Sequence, residues 1–131
     1  MCLQLLFLID LEIIMELKFR CFCLYNKEML YSDRHYPNLE AYFGDQSSET
    51  SDYMQFTGLK DKNGVEIYAG DIVNHNGIGV GHIDYNDKHA AYKIVFKGTT
   101  RKWLIDMIER EIREIEVIGN IYENPELIKP L

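Results

Sequence analysis

Short runs of alternating apolar and polar residues, separated by turn signals, constrain the fold of this chain more than any other feature. In the second half they recur about every eight to twelve residues, a spacing typical of small barrels. Asn63-Gly64 and Asn76-Gly77 mark two of the turns, since both residue types accept positive φ at low cost. One later run places three apolar side chains on a single face: Tyr92, Ile94 and Phe96. The pattern predicts a meander of short strands or a small SH3-like barrel.

The first half predicts a hairpin, a loop and a further strand. Leu17–Tyr25 alternates as a strand does, and Met29–Tyr31 resumes the alternation after a turn. Tyr53–Thr57 is another short strand. Between them, residues 32–52 are polar and predict a long loop, in which the only apolar anchors are Leu39, Tyr42 and Phe43, through one helical turn at most.

Near the C-terminus the apolar period changes from that of a strand to that of a helix. Within Trp103–Glu116 a helical stripe is formed by Leu104, Ile108, Ile112 and Ile115. A closing strand, Val117–Tyr122, follows. The predicted fold class is therefore mainly β, a β-rich α+β fold, with one amphipathic helix near the C-terminus.

Residues 1–14 differ from the rest of the chain, because eleven of the fourteen are apolar. They lack the basic region and cleavage site of a secretory signal, and they are shorter than the roughly 20 apolar residues of a membrane helix. Leu11-Glu12 can be encoded by a ribosome-binding sequence at a suitable distance before Met15. We therefore expect translation to start at Met15 and residues 1–14 to be a non-native extension. Residues 15–131 then form one domain, with strands and a loop over 15–57 and a small barrel with a helix over 58–131.

The charge balance argues against tight, non-specific binding to nucleic acid. Fourteen Lys and Arg face twenty-one Asp and Glu, giving a formal net charge of −7, and counterion release needs clustered basic residues. The single basic-aromatic cluster joins Phe96 and Trp103 to three basic residues: Lys97, Arg101 and Lys102. This cluster is the candidate nucleic-acid patch.

No pattern in the sequence predicts a catalytic, cofactor-binding or metal-binding residue. Asp71 follows a glycine and, with Asp84 and Asp87, could supply paired carboxylates for acid–base work, but aspartates beside turns commonly accept backbone hydrogen bonds. The evenly spaced His75, His82 and His89 are interpreted as solvent-facing strand residues. The odd total of three cysteines fits a reducing compartment. We expect a cytoplasmic protein without a cofactor.

Three blocks of sequence resemble the YopX family, small proteins of bacteriophages and prophages. They are Leu17–Arg20, Met54–Val73 and Glu116–Leu127, and together they span about residues 15–128. The resemblance implies a β-rich fold with a small barrel in the second half, and self-association. It implies no reaction and transfers no functional residue.

The leading hypothesis is a non-enzymatic accessory protein that binds another protein or assembles in the cytoplasm of a bacterial host. Its partner is a second copy or an unidentified host or phage protein, with no membrane involved. The predicted partner or subunit contact consists of Trp103, Ile108 and Ile112. One alternative is a nucleic-acid-binding regulator that uses the patch around residues 96–103. A third hypothesis, a small-ligand enzyme, predicts a concave pocket with at least two polar groups of shifted pKa.

Overall fold

A computed structural model describes residues 17–34, 36–45, 49–97, 101–103 and 112–128. The strands are β1 Phe19–Cys23, β2 Glu28–Tyr31, β3 Met54–Lys60, β4 Glu66–Tyr68, β5 Asp71–His75, β6 Gly79–Asn86, β7 Ala91–Phe96, β8 Arg101–Trp103 and β9 Ile115–Asn120. The helices are α1 Leu39–Asp45 and two 3₁₀ turns, Ile112–Glu114 and Pro125–Leu127.

The strands form two antiparallel sheets. The first has the order β2-β1-β3-β4, and the second has the order β8-β7-β6-β5-β9. The predicted meander is confirmed, because β5 to β8 are neighbours in chain order and β9 returns to the free side of β5. The mainly β class is confirmed as well. The SH3-like assignment stays a prediction.

The main hydrophobic core lies against the second sheet. The face shared by Ile94 and Phe96 is buried, as predicted, and Tyr92 packs against it. The other buried members of this core are Ile67, Val73, Ile83 and Ile115. Ile67 comes from β4 of the first sheet, so the two sheets share one apolar interior.

The loop predicted over residues 32–52 contains helix α1, and this expectation needs correction. Asn38 starts the helix, since its Oδ1 accepts the Ala41 amide at 2.8 Å, as an N-cap residue does. Tyr42 is fully buried, and its hydroxyl donates to the Leu30 carbonyl at 2.8 Å. The same hydroxyl lies 3.1 Å from Cys21 Sγ on β1. One buried tyrosine thus fixes this segment, although most of residues 32–52 are polar.

The helix predicted over Trp103–Glu116 is wrong at both ends. Trp103 ends β8, while Ile115 and Glu116 begin β9 beside β5. The spacing of the apolar residues had indicated a helix up to Glu116, but Ile112 lies in a 3₁₀ turn and Ile115 fills a core position of a strand. Residues 104–111 lie outside the described part of the chain. Within the described ranges, no helix is both long and apolar enough to cross a membrane.

A tight corner at Gly70 joins β4 of the first sheet to β5 of the second. The Gly70 amide donates to the Ile83 carbonyl, and its carbonyl accepts the Ile121 amide, each at 2.9 Å. Gly70 has φ of +85°, and a Cβ there would lie 2.6 Å from Met54 Sδ.

We predict that Gly70→Ala lowers the free energy of unfolding by about 1–2 kcal/mol, because a side chain at positive φ is strained. Gly44→Ala is the matched control, since nothing lies within 4 Å of a Cβ at this exposed position in α1. It should change stability by no more than about 1 kcal/mol, in the stabilising direction. Urea unfolding measures both. Equal stability of Gly70→Ala and the wild type would contradict the role given to this corner.

Candidate binding cleft

A buried ion pair connects the two sheets beside this corner. Arg20 of β1 and Asp71 of β5 are 4% and 2% exposed, and Arg20 Nη2 lies 2.7 Å from Asp71 Oδ1. The same nitrogen donates to the Ala69 carbonyl at 3.3 Å. The guanidinium also lies over the Tyr68 ring, 4.7 Å from its centroid. Ionic, hydrogen-bonding and cation–π contacts therefore meet at one arginine.

The alternation of side chains along β1 explains why Arg20 lies on the side of Asp71. Phe19 and Cys21 face α1, where Phe19 contacts Phe43 with ring centroids 5.3 Å apart. Arg20 and Phe22 therefore face the opposite way. Phe22 stacks on Tyr122, beyond β9, at 5.8 Å.

Asp71 uses both of its carboxylate oxygens within the fold. Oδ1 accepts from Arg20, and Oδ2 accepts the Tyr68 amide at 2.7 Å. Burial raises the pKa of the Asp71 carboxyl, while the Arg20 charge and the Tyr68 amide oppose that rise. Burial also raises the pKa of the Tyr68 phenol to about 12. Tyr68 is therefore a neutral phenol at physiological pH.

The ion pair lies in the wall of a cleft with a volume of about 410 Å³. One side is formed by Arg20, Tyr31 and Arg34, which belong to or follow β1 and β2. The opposite sides come from the segment Gly64–Tyr68 and from β9. The cleft thus opens where the first sheet meets the edge of the second.

A charge inventory of the cleft leaves one cation without a counter-ion. Asp71 is paired with Arg20, and Glu66 is paired with the Lys18 ammonium. Arg34 is exposed and lies 3.8 Å over the Tyr31 ring, and it makes no ion pair within the described part of the chain. Arg20 Nε is buried and has no hydrogen-bond partner among the described residues. Among the residues that line the cleft, Arg34 is therefore the cation that makes no ion pair with another described residue.

The β9 side of the cleft is held by a compact turn. Asn120 Oδ1 accepts the amides of Tyr122 and Glu123, at 3.1 and 2.9 Å. The Asn120 amide in turn donates to Asn124 Oδ1 at 3.2 Å. The Asn124 side chain occupies the place that a Cβ at Gly119 would need. This wall is therefore rigid, and its polar side chains are bonded to one another.

The comparisons with known proteins agree with the resemblance seen in the sequence. The YopX family model, described as "YopX protein", matches residues 18–129. The chain belongs to the YopX family. Among solved structures it is similar to the crystal structure of protein EF1440 from Enterococcus faecalis, with 26% identity, a TM-score of 0.52, and coverage of 87% of this chain and 99% of that one. None of the curated proteins matched the chain.

Two of the contact residues predicted for this YopX-family chain lie among the described residues, and both are half-buried. Trp103 is half-buried beside His89, with ring centroids 5.1 Å apart. Ile112 packs against the main hydrophobic core. Ile108 lies outside the described residues. The contact formed by all three stays a prediction.

The candidate nucleic-acid patch is spread along the β7–β8 hairpin. Lys97 is exposed just after β7. Arg101 pairs with Val95, and Lys102 pairs with Ile94. Because successive strand positions belong to opposite faces of a sheet, this register assigns positions 101 and 102 to different faces.

The three histidines are separated by the meander. His75 is buried in β5, contacts the Phe96 ring and accepts the Gly77 amide at Nδ1, so the solvent-facing interpretation was wrong for this residue. His82 lies in β6, and His89 lies in the turn before β7. Among the described residues, no group of three or more His, Cys, Asp or Glu side chains is placed to hold a metal ion.

A cluster of aromatic side chains, the aromatic face, lies next to helix α1 on the side of β1 away from the cleft. We use this name for Tyr36, Phe43 and Tyr53, which surround the buried Tyr42. Phe43 and Tyr53 are 39% and 43% exposed, and their centroids lie 4.7 Å apart in an edge-to-face contact. The Tyr36 hydroxyl donates to Asp45 Oδ2 at 2.9 Å.

Reasoning from sequence missed the ion pair and the cleft. Arg20 occupies a core-facing position in an otherwise apolar strand, which is the one available signal for a buried partner. Asp71 was weighed as a general base, and the structure instead places it as the partner of Arg20. The position of Arg34 over Tyr31 depends on the hairpin and has no sequence signal.

We predict that Arg20→Met lowers the free energy of unfolding by about 3–5 kcal/mol, because Asp71 is then buried without its counter-ion. The double variant Arg20→Met/Asp71→Asn should lose less free energy of unfolding than the two single variants lose together. Asp84→Asn is the control: it removes a pair with Lys93 at 3.9 Å whose carboxylate is 51% exposed, and it should cost less than about 1 kcal/mol. Denaturant unfolding measures all four variants. Additive losses would show that the pair is not coupled.

We also predict an alkaline loss of stability linked to Tyr68. Its pKa is raised from 10.0 to about 12, so the folded chain holds the proton more tightly than the unfolded chain. This contribution is complete below pH 10 and is lost as pH rises from 10 to 12. Titration of the phenolate absorbance should show a late step that Tyr68→Phe removes. A Tyr68→Phe profile unchanged above pH 11 would contradict the assignment.

Proposed function

We propose that this YopX-family protein is a non-enzymatic protein-binding or assembly module of a bacteriophage or prophage. Its first partner is a second copy of the chain, and the contact is made by the aromatic face. The observation that carries the proposal is the exposure of Phe43 and Tyr53, since large aromatic rings are costly to leave in water. The proposed place of action is the cytoplasm of the bacterial host.

The aromatic face is already ordered for binding. Phe43 contacts Tyr42 and Tyr53, with centroids 5.3 and 4.7 Å apart, and it also contacts Phe19 on β1. Tyrosine and phenylalanine are enriched at protein interfaces, because they bury much area and lose little conformational freedom. Rings that are already held by neighbours lose even less freedom on binding.

The contacts of the cleft support a non-enzymatic role. A small-ligand enzyme predicts a concave pocket with two polar groups of shifted pKa, and the cleft does contain Tyr68 and Asp71. Both carboxylate oxygens of Asp71 are engaged, by Arg20 and by the Tyr68 amide. With Asp71 also 2% exposed, its carboxylate is poorly placed to take a proton from a substrate.

A nucleic-acid-binding regulator remains the alternative proposal. It predicts a salt-dependent gel shift that is lost when Lys97, Arg101 and Lys102 are reversed in charge. The register of β8 does not favour it, because the positions of Arg101 and Lys102 belong to different faces of the sheet.

We predict that light scattering gives a mass that is a multiple of 15.4 kDa for the wild type and 15.4 kDa for the double variant Phe43→Ser/Tyr53→Ser. Tyr25→Ser is the matched control, because Tyr25 is 80% exposed in the β1–β2 turn, away from the aromatic face. It should keep the wild-type mass. Circular dichroism verifies that each variant is folded.

Two results would contradict this proposal. The first is a wild-type mass of 15.4 kDa at every concentration. The second is a mass that falls to that of one chain in Trp103→Ser, while Phe43→Ser/Tyr53→Ser keeps the wild-type mass. The interface would then be the contact predicted from Trp103, Ile108 and Ile112.

A further inference from the structure

We infer that the cleft binds a small organic anion, a carboxylate or a phosphate attached to a planar ring. Arg34 binds the anionic group at the mouth, and the ring lies against Tyr68 and the apolar side chains of the walls. The site lies on the face of β1 opposite the aromatic face, so the inference does not depend on the proposed function.

Arg34, the cation of the lining that makes no ion pair with the described residues, favours an anionic ligand. Asp71 and Glu66 are already neutralised, by Arg20 and Lys18. Asp33, the sequence neighbour of Arg34, lies 4.0 Å from the Lys18 ammonium. Arg34 is thus the lining residue whose charge has no counter-ion among the described residues.

The Tyr31 ring prepares Arg34 for binding. A guanidinium stacked 3.8 Å over a ring has lost part of the freedom that an exposed arginine otherwise gives up when it binds. The stack covers one face of the guanidinium, and the N–H groups at its edge remain free to donate in the plane. A planar fork of donors matches the two oxygens of a carboxylate or phosphate.

The size and lining of the cleft favour a ring as the body of the ligand. A volume of about 410 Å³ lies within the range of small-molecule sites. Two valines face it, Val65 from the turn before β4 and Val117 from β9. The polar groups of Asn120 are used within its own turn, so they do not compete for the ligand. Deeper in the wall, the Arg20 guanidinium lies over the Tyr68 ring, 4.7 Å from its centroid.

Isothermal titration calorimetry with two matched pairs of probes tests the inference. Adenosine monophosphate is compared with adenosine, and indole-3-acetate with indole-3-acetamide, so that each acid has a neutral partner of similar shape. The proteins are the wild type, Arg34→Gln, and the control Arg113→Gln, which removes an exposed arginine outside the cleft. Tyr31→Phe keeps the ring under Arg34, and Tyr31→Leu removes it.

We expect saturable binding of at least one acid and none of its neutral partner. Arg34→Gln should weaken that binding at least about tenfold, since a charge-assisted hydrogen bond is lost, while Arg113→Gln leaves it unchanged. Tyr31→Leu should weaken it too, and Tyr31→Phe should not.

The inference is overturned if neither acid binds at concentrations up to about 1 mM, or if each acid binds as its neutral partner does. It is also overturned if Arg34→Gln and Arg113→Gln weaken the binding of the acid equally. The double variant of the aromatic face should bind the acid as the wild type does. A failure of self-association and a failure of ligand binding can therefore be told apart.

Discussion

The buried pair of Arg20 and Asp71 is the interaction on which the arrangement of the two sheets depends. It joins β1 to β5, and Asp71 at the same time accepts the Tyr68 amide at the corner between β4 and β5. Breaking one half of such a pair is costly, because a charge is left uncompensated in a medium of low polarity. The pair therefore favours one relative placement of the sheets over others that would bury similar apolar area.

The same pair determines the character of the cleft. Arg20 is paired with Asp71, and Glu66 is paired with Lys18. These paired side chains therefore contribute no net charge to the cleft. The positive charge that remains is Arg34, held at the mouth by Tyr31. One unpaired arginine at the mouth suits a single carboxylate or phosphate group rather than a dense polyanion. The opposite face of β1 carries the aromatic face, so one strand supports two separate surfaces.

The sequence predicted the elements that depend on local chemistry, and it missed those that depend on distant partners. The Asn-Gly turns and the face of Tyr92, Ile94 and Phe96 were confirmed, because turn conformation and strand alternation are encoded within a few residues. Helix α1 was anticipated only as one helical turn in a loop, since the burial of its anchor Tyr42 depends on contacts with Leu30 and Cys21. The C-terminal bound of the predicted helix Trp103–Glu116 was wrong because Ile115 pairs with β5 as part of a strand. Among the candidate site residues, Asp71 was noticed, whereas its partner lies at a sequence separation of 51 and leaves no local pattern.

Hydrogen exchange of the folded protein, compared between the wild type and Arg20→Met, tests the central role of the ion pair most directly. If the pair fixes both sheets, the amides of β1 and β5 lose protection together, and the Tyr68 amide loses it with them. Loss confined to β1, with β5 and Tyr68 protected as in the wild type, would contradict the account, because each sheet would then hold its place without the other.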